Sequence, residues 1–205
     1  MIPVHLQHEP TAATDNFDFD ARVRQRGRKW LLERGLLSAN PVLPGTEMPT
    51  YWRECLGVLH AKYSGICAYL CVYLEQAVGG VSVDHFVAKS PRPDRAYEWD
   101  NYRLASTAMN SRKHVFDDVL DPFTLAQDTF HLELVTGRIH PNPGLPPAAT
   151  AAGQDTIDRL GLDDDACRKM RIRRFEDYQS GNVSAQILKR DSPFIWDEAN
   201  RQGLL

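Results

Sequence analysis

Three short polar segments near the middle of the chain contain side chains suited to acid-base and metal chemistry. They are Asp84-His85, Asp100-Asn101, and Asn110 with the four residues that follow it. A neutral imidazole accepts a proton near neutral pH, which suits His85 as a general base. Carboxylate and amide oxygens are hard ligands for Mg²⁺, which suits Asp84 and Asn110. Together these side chains predict metal-assisted attack of water on a phosphate ester.

The same residues resemble the motif of the HNH endonucleases. Sixteen positions separate His85 from Asn101 and nine separate Asn101 from Asn110, spacings similar to those of that family. The resemblance implies a ββα-metal core in which His85 is the general base and Asp84 and Asn110 bind Mg²⁺ or Mn²⁺. For Asn101 it implies hydrogen bonds to loop backbone that aim the base.

The residues after Asn110 leave alternatives open. His114 lies one helical turn further on, where some HNH nucleases such as the colicins place another metal-binding histidine and many others have glycine. His114 is therefore a candidate metal ligand. Arg112 and Lys113 are candidate nucleic-acid contacts, although a solvated helix face explains them equally well.

The resemblance continues outside this motif. Asp121-Pro122-Phe123, residues 137–141 and residues 156–162 look like the downstream segments of HNH proteins from retron and Septu anti-phage systems. This implies an effector that cleaves nucleic acid, DNA in preference to RNA, beside an ABC-type ATPase partner. Two other functions remain open: an interaction subunit whose nuclease is silent without that partner, and a nucleic-acid-binding module with a vestigial site.

Four cysteines are too few and too unevenly spaced for a disulfide-stapled secreted fold. Cys67 and Cys71 form one close pair, but a structural zinc site usually needs two such pairs. Structural zinc is therefore not expected. The sequence predicts buried, reduced thiols and a cytoplasmic protein.

Composition and charge exclude several classes of protein. The 205 residues are 42% hydrophobic and 25% charged, which excludes a disordered chain. A formal charge of -3 gives no general attraction to polyanions. The longest apolar run, Ile66 to Leu74, is too short to span a membrane, and no membrane partner is expected.

Cationic residues are concentrated in two clusters. The first covers Arg22 to Lys29 and the second Arg168 to Arg174. Either cluster could contact nucleic acid. In the alternative, each cluster is the solvated side of a helix and pairs with Asp163 to Asp165 or with Glu176 and Asp177.

The sequence predicts an α+β fold that would position these residues. Its ββα core is embedded in a mainly helical domain. We expect a helical segment over residues 1–62, a nuclease core with a hairpin over 63–140 and a helical extension over 141–205. Gly27 should loosen a helix over 21–37, and Thr50 should cap a helix over 51–62 after a loop with Pro41, Pro44 and Pro49.

Periodicity predicts the remaining elements. Residues 66–73 and 81–87 are β-branched or aromatic runs that suggest paired strands, and another short strand covers 102–106. A helix follows over 108–119, then a hairpin formed by 130–135 and 138–139. The Pro-, Gly- and Ala-rich residues 141–152 suggest a flexible connector before helices at 156–160 and 163–179.

Overall fold

The protein has a mixed α+β fold in a computed structural model that describes residues 1–38, 40–43 and 45–205. Pro44, a proline of the predicted loop, lies outside the described residues. The chain forms two compact units. The site unit comprises Leu6–Gly65 and Glu75–Asp117, and the hairpin unit comprises Met1–His5, Ile66–Leu74 and Asp118–Leu205. Neither unit is continuous along the chain, whereas the sequence suggested three successive segments.

The site unit begins with short helices. A π-helical turn over Asp20–Arg24 leads directly into α2, and a 3₁₀ turn over Tyr51–Cys55 leads into α3. Thr50 occupies the predicted N-cap position, but its side chain makes no capping hydrogen bond. The helices are α1 (Ala12–Asp15), α2 (Gln25–Leu32) and α3 (Leu56–Lys62).

Gly27 does not interrupt the helix as predicted, because α2 runs straight through it. A Cβ atom at this position would lie 2.1 Å from the ring of Tyr97. Gly27 therefore allows the Tyr97 ring to pack directly on the helix backbone. The glycine marks a close packing contact, not a weak point in the helix.

The predicted order of strand, loop, strand and helix is confirmed in the site unit. Strand β1 (Val81–His85) pairs antiparallel with β2 (Tyr102–Ser106), and His85 lies opposite Tyr102. Helix α4 (Thr107–Lys113) follows at once, and the Ser106 hydroxyl caps it by accepting from Met109 N at 3.2 Å. The partner predicted for β1 was wrong. Residues 66–73 form turns with one isolated bridge, Ile66 to Tyr73, within the hairpin unit.

Helix α4 ends earlier than predicted. His114 adopts a φ of 49°, which is outside the right-handed helical region, so the helix stops after Lys113. The apolar residues Val115 and Phe116, which continued the helical spacing in the sequence, are exposed. His114 consequently lies beyond the helix end and not on its last turn.

The hairpin unit combines a small sheet with four helices. Strands β3 (Phe130–Glu133) and β4 (Arg138–Pro141) form the predicted antiparallel hairpin. The predicted flexible connector was wrong in its second half, because a helix begins at Pro147, where proline favours the first turn and the alanines that follow favour helix. The helices are α5 (Pro147–Leu160), α6 (Asp165–Gln179), α7 (Ala185–Asp191) and α8 (Pro193–Arg201).

The structure also bears on the expectations for the cysteines and for membrane-spanning segments. All four cysteines lie within the described residues, and each is a buried free thiol, as predicted. None of the helices in the described part of the chain is both long and apolar enough to span a bilayer.

Candidate active site

A cleft of about 700 Å³ in the site unit collects most of the predicted functional residues. Asp84 and His85 reach it from the end of β1, and Asn110 reaches it from α4. His114 lies at the same cleft from the turn after α4. Asn101, Arg112 and Lys113 are not among its lining residues. The β1, β2 and α4 elements thus bring together residues that lie up to thirty positions apart.

The His85 ring is clamped by aromatic edges and by one backbone carbonyl. Its centroid lies 4.7 Å from the Trp52 ring and 5.1 Å from the Tyr102 ring, both in T-shaped contacts. Nε2 lies 2.9 Å from the carbonyl oxygen of Ala96. A carbonyl oxygen only accepts, so Nε2 carries the proton of the neutral ring. Nδ1 therefore keeps the lone pair that a general base needs.

Burial keeps this imidazole neutral. The pKa of His85 is lowered from 6.5 to about 3, chiefly by loss of hydration; the nearby Lys89 and Lys113 ammonium groups contribute to this shift, and the hydrogen bond to Ala96 opposes it. The ring is therefore unprotonated at neutral pH in the free protein. Negative charge brought into the cleft would favour its protonated form.

Asp84 forms a buried ion pair that corrects the prediction for Lys113. The Lys113 side chain is fully buried, and its Nζ lies 3.7 Å from Asp84 Oδ1. Nζ also donates to the backbone oxygen of His85 at 3.0 Å. The sequence suggested Lys113 as a nucleic-acid contact or as part of a solvated helix face, but its buried ammonium is not on the surface and instead supports the end of β1. Arg112 is partly exposed.

Asn110 has a defined orientation. Its Nδ2 donates to Ser82 Oγ and to the backbone oxygen of Val83, both at 3.2 Å. The Val83 oxygen can only accept, which assigns the amide nitrogen to that side. Oδ1 is therefore the atom of this amide that is suited to hold a cation.

Asn101 fastens the loop between β1 and β2. Its Oδ1 accepts from Val87 N at 2.7 Å, and its Nδ2 donates to the backbone oxygens of Val87 and Arg95 at 3.0 and 2.9 Å. These are the backbone hydrogen bonds that the resemblance implied for this residue. The Ala96 carbonyl that holds His85 follows Arg95 directly, so Asn101 acts on His85 through the loop.

Replacing Asn101 with alanine is expected to lower the free energy of unfolding by about 2–3 kcal/mol, because three hydrogen bonds are lost and buried backbone groups lose their partners. Urea denaturation measures this. Asn40, exposed at the surface, is the control, and Asn40→Ala should change stability by less than about 0.5 kcal/mol. Equal stability of Asn101→Ala and the unmodified protein would show that the Asn101 hydrogen bonds do not stabilise the loop.

Sequence reasoning did not select Lys89 as a site residue, although it lines the same cleft. Its Nζ lies 5.4 Å from the centroid of the Trp52 ring. Burial lowers the pKa of Lys89, and attraction to Asp84 opposes the shift. The signal in the sequence that could have identified Lys89 is its position, four residues after His85. Its cation contributes to the positive charge beside His85.

The residues of the two basic clusters pair mainly with carboxylates and backbone oxygens of this chain. In the first, Arg22 and Arg26 both pair with Glu54, and Arg28 pairs with Glu98. Arg24 is held by three carboxylates: Glu9, Asp20 and Glu98. In the second, the ion pairs are Arg168 with Asp163 and Lys169 with Asp165, while Arg171 is buried and donates to the backbone oxygens of Gly137 and Leu162. These contacts favour the ion-paired alternative over phosphate-binding surfaces.

The donors of the cleft fit a hydrated, oxygen-seeking cation. Asp84 offers a carboxylate and Asn110 an amide oxygen, the ligand types that Mg²⁺ prefers, and Mg²⁺ commonly binds through one or two protein groups and several waters. Within the described residues, no three His, Cys, Asp or Glu side chains are grouped so as to hold a metal.

The chain matches no known protein-family model, and no curated protein matches it significantly.

Proposed function

We propose that this chain is a metal-dependent HNH endonuclease that hydrolyses phosphodiester bonds of nucleic acid. The observation that carries the proposal is the position of His85 in the cleft. Its Nε2 is bound to Ala96, its Nδ1 retains the lone pair, and Asp84 and Asn110 line the same cleft. The antiparallel β1–β2 pair followed by α4 corresponds to the ββα order of that family, which further supports the proposal.

In this proposal, His85 takes a proton from the attacking water at Nδ1. The Ala96 carbonyl holds the ring in the required tautomer through Nε2, as second partners commonly do for catalytic histidines. Asp84 and Asn110 would hold Mg²⁺ or Mn²⁺; a bound cation offsets the charge that develops on the phosphate and on the leaving oxygen. His114, at the rim of the cleft, is a further candidate ligand.

Lys89 is assigned to the substrate phosphate. It lies in the cleft beside Asp84, and its ammonium group is partly withdrawn from water. A preoriented cation in such a place stabilises negative charge more strongly than it does in bulk water. Burial is the main cause of the low His85 pKa and the Lys89 charge adds to it, so an anionic substrate that pairs with Lys89 would make proton transfer to His85 easier.

Replacing Lys89 with methionine is expected to reduce the rate of cleavage by about 10²–10³-fold, the usual effect of losing one preoriented group that stabilises transition-state charge. Arginine, which keeps the cation, should retain part of the activity. Single-turnover cleavage of a labelled oligonucleotide measures both variants. Lys169→Met, at an exposed lysine of α6, is the matched control. Full activity of Lys89→Met would exclude a role in charge stabilisation.

The substrate and the biological setting are further parts of the proposal. The resemblance of the flanking segments to retron and Septu HNH proteins supports an anti-phage effector that acts beside an ABC-type ATPase, in the cytoplasm and on DNA in preference to RNA. Buried reduced thiols are consistent with that compartment.

The ion pairs favour a second candidate function, an effector subunit whose nuclease is silent until its ATPase partner binds. Glu54, Glu98 and Asp163 neutralise arginines that would otherwise attract phosphate. With a net charge of -3, the free chain is expected to bind nucleic acid weakly.

Incubation with supercoiled plasmid, single-stranded DNA and transfer RNA tests both functions. The reactions contain Mg²⁺, Mn²⁺ or EDTA, with and without the co-expressed ATPase. Cleavage that requires the cation supports the nuclease. Cleavage only with the ATPase supports gating by the partner, whereas rapid cleavage by the chain alone contradicts it. No cleavage in any reaction would contradict the nuclease itself.

A further inference from the structure

The hairpin unit contains a pair of histidines that the proposed nuclease does not use. His131 on β3 and His140 on β4 are directly opposite each other in the antiparallel register. Their ring centroids lie 5.9 Å apart, and both residues are partly exposed. The apolar side chains Leu132 and Ile139, next to them in sequence, are buried on the other face of the hairpin. The two imidazoles therefore stand side by side on the outer face of the sheet.

Each ring has an acceptor on one nitrogen, and this determines which nitrogen keeps its lone pair. His131 Nε2 lies 2.7 Å from Asp128 Oδ1, and His140 Nδ1 lies 2.9 Å from the backbone oxygen of Pro141. Neither acceptor can donate, so these two nitrogens carry the protons of the neutral rings. The lone pairs are left on His131 Nδ1 and His140 Nε2. Histidines that bind metals in proteins show the same arrangement, with the second nitrogen donating to a carboxylate or a carbonyl.

The carboxylate that orients His131 is itself held in place. Asn142 donates from Nδ2 to Asp128 Oδ2 at 2.8 Å and to the Asp128 backbone oxygen at 3.0 Å. Asn142 N also donates to Thr129 O at 2.9 Å, which ties the residue after β4 to the residue before β3. The histidine pair thus rests on a supporting network and not on two mobile surface side chains.

We propose that His131 and His140 form a binding site for a divalent transition-metal ion of the zinc class. Centroids 5.9 Å apart leave room for one cation at about 2.0–2.1 Å from a nitrogen of each ring. Imidazole nitrogens suit Zn²⁺, Ni²⁺ and Cu²⁺, whereas Mg²⁺ prefers oxygen ligands. Water completes the coordination. The ion links β3 to β4 and stabilises the hairpin, independently of the nuclease cleft.

Imidazole nitrogen NMR of the ¹⁵N-labelled full chain, titrated with Zn²⁺, tests the site residue by residue. Before metal is added, the spectrum should show a proton on Nε2 of His131 and on Nδ1 of His140. Zn²⁺ should then shift His131 Nδ1 and His140 Nε2 together, with one common dissociation constant, and Mg²⁺ should shift neither. Because the readout identifies the individual rings, metal binding at the nuclease cleft does not interfere.

Three variants complete the test. His131→Asn and His140→Asn should each weaken Zn²⁺ binding at the remaining ring by at least about 10-fold, and Asp128→Asn by about 10-fold, as is usual for a residue that orients a ligand. The control His8→Asn, at an exposed histidine outside the hairpin, should leave binding unchanged. The proposal is wrong if the two rings do not respond to Zn²⁺, respond equally to Mg²⁺, or keep their affinity in the variants. Circular dichroism checks that each variant is folded.

Discussion

Replacement of His85 by glutamine is expected to lower the rate of nucleic-acid cleavage by about 10²–10⁴-fold, which is the usual contribution of a general base. Glutamine removes the basic Nδ1 but retains an amide N–H that can donate to the Ala96 oxygen, as His85 Nε2 does. The loop and the aromatic packing around the site should therefore survive. Single-turnover cleavage with Mg²⁺ at saturating enzyme measures the chemical step separately from binding.

His85→Ala extends this test. It removes the same base but leaves a cavity between Trp52 and Tyr102, where the imidazole ring packs in the unmodified protein. Added imidazole should occupy that cavity and restore part of the lost rate to His85→Ala, but not to His85→Gln. His8→Gln, at an exposed histidine, should cleave at the normal rate. Undiminished cleavage by folded His85→Gln would remove His85 from the mechanism.

Replacement of Lys113 by methionine is expected to lower the free energy of unfolding by about 3–5 kcal/mol. The Lys113 ammonium is fully buried, 3.7 Å from the carboxylate of Asp84. Methionine fills much of the same volume but leaves that buried carboxylate without this counter-charge. It also removes the donor to the His85 backbone oxygen. Urea denaturation of the metal-free protein, followed by circular dichroism, measures the change.

A second substitution separates charge from packing. Adding Asp84→Asn to Lys113→Met removes the negative charge of the buried carboxylate, and the double variant should recover part of the lost stability, so that the two effects are not additive. Lys169→Met breaks an exposed ion pair with Asp165 and should cost no more than about 1 kcal/mol. Equal effects of Lys113→Met and Lys169→Met would show that burial of the Lys113–Asp84 pair contributes nothing to stability.

Local sequence signals predicted the elements around the cleft well. Strands β1 and β2, the start of α4 and the β3–β4 hairpin have their expected places, because alternation, turn residues and the Ser106 cap act over a few neighbouring positions. Local signals failed where contacts between residues distant in sequence, or the backbone angles of one residue, determine the secondary structure. The apolar run 66–74 belongs to the hairpin unit, and the helical spacing after Lys113 is ended by the φ of His114.

The candidate site, too, was predicted only in part from local sequence. Residue type and spacing were enough to select Asp84, His85 and Asn110, which line one cleft because they end β1 or lie on α4. Spacing does not reveal which ring nitrogen of a histidine is protonated. That depends on the Ala96 carbonyl, which the loop held by Asn101 brings to His85.

The sequence by itself determined the α+β elements, the order of strand, loop, strand and helix, and the residue types of the candidate site. Only the tertiary structure decided that Lys113 is buried against Asp84 while Lys89 reaches the cleft, and that the arginines of the first cluster pair with Glu54 and Glu98. The physical reason is that the sequence gives the type of each charged side chain but not its surroundings. Its surroundings, set by residues distant in sequence, determine whether it faces a buried carboxylate or an open cleft.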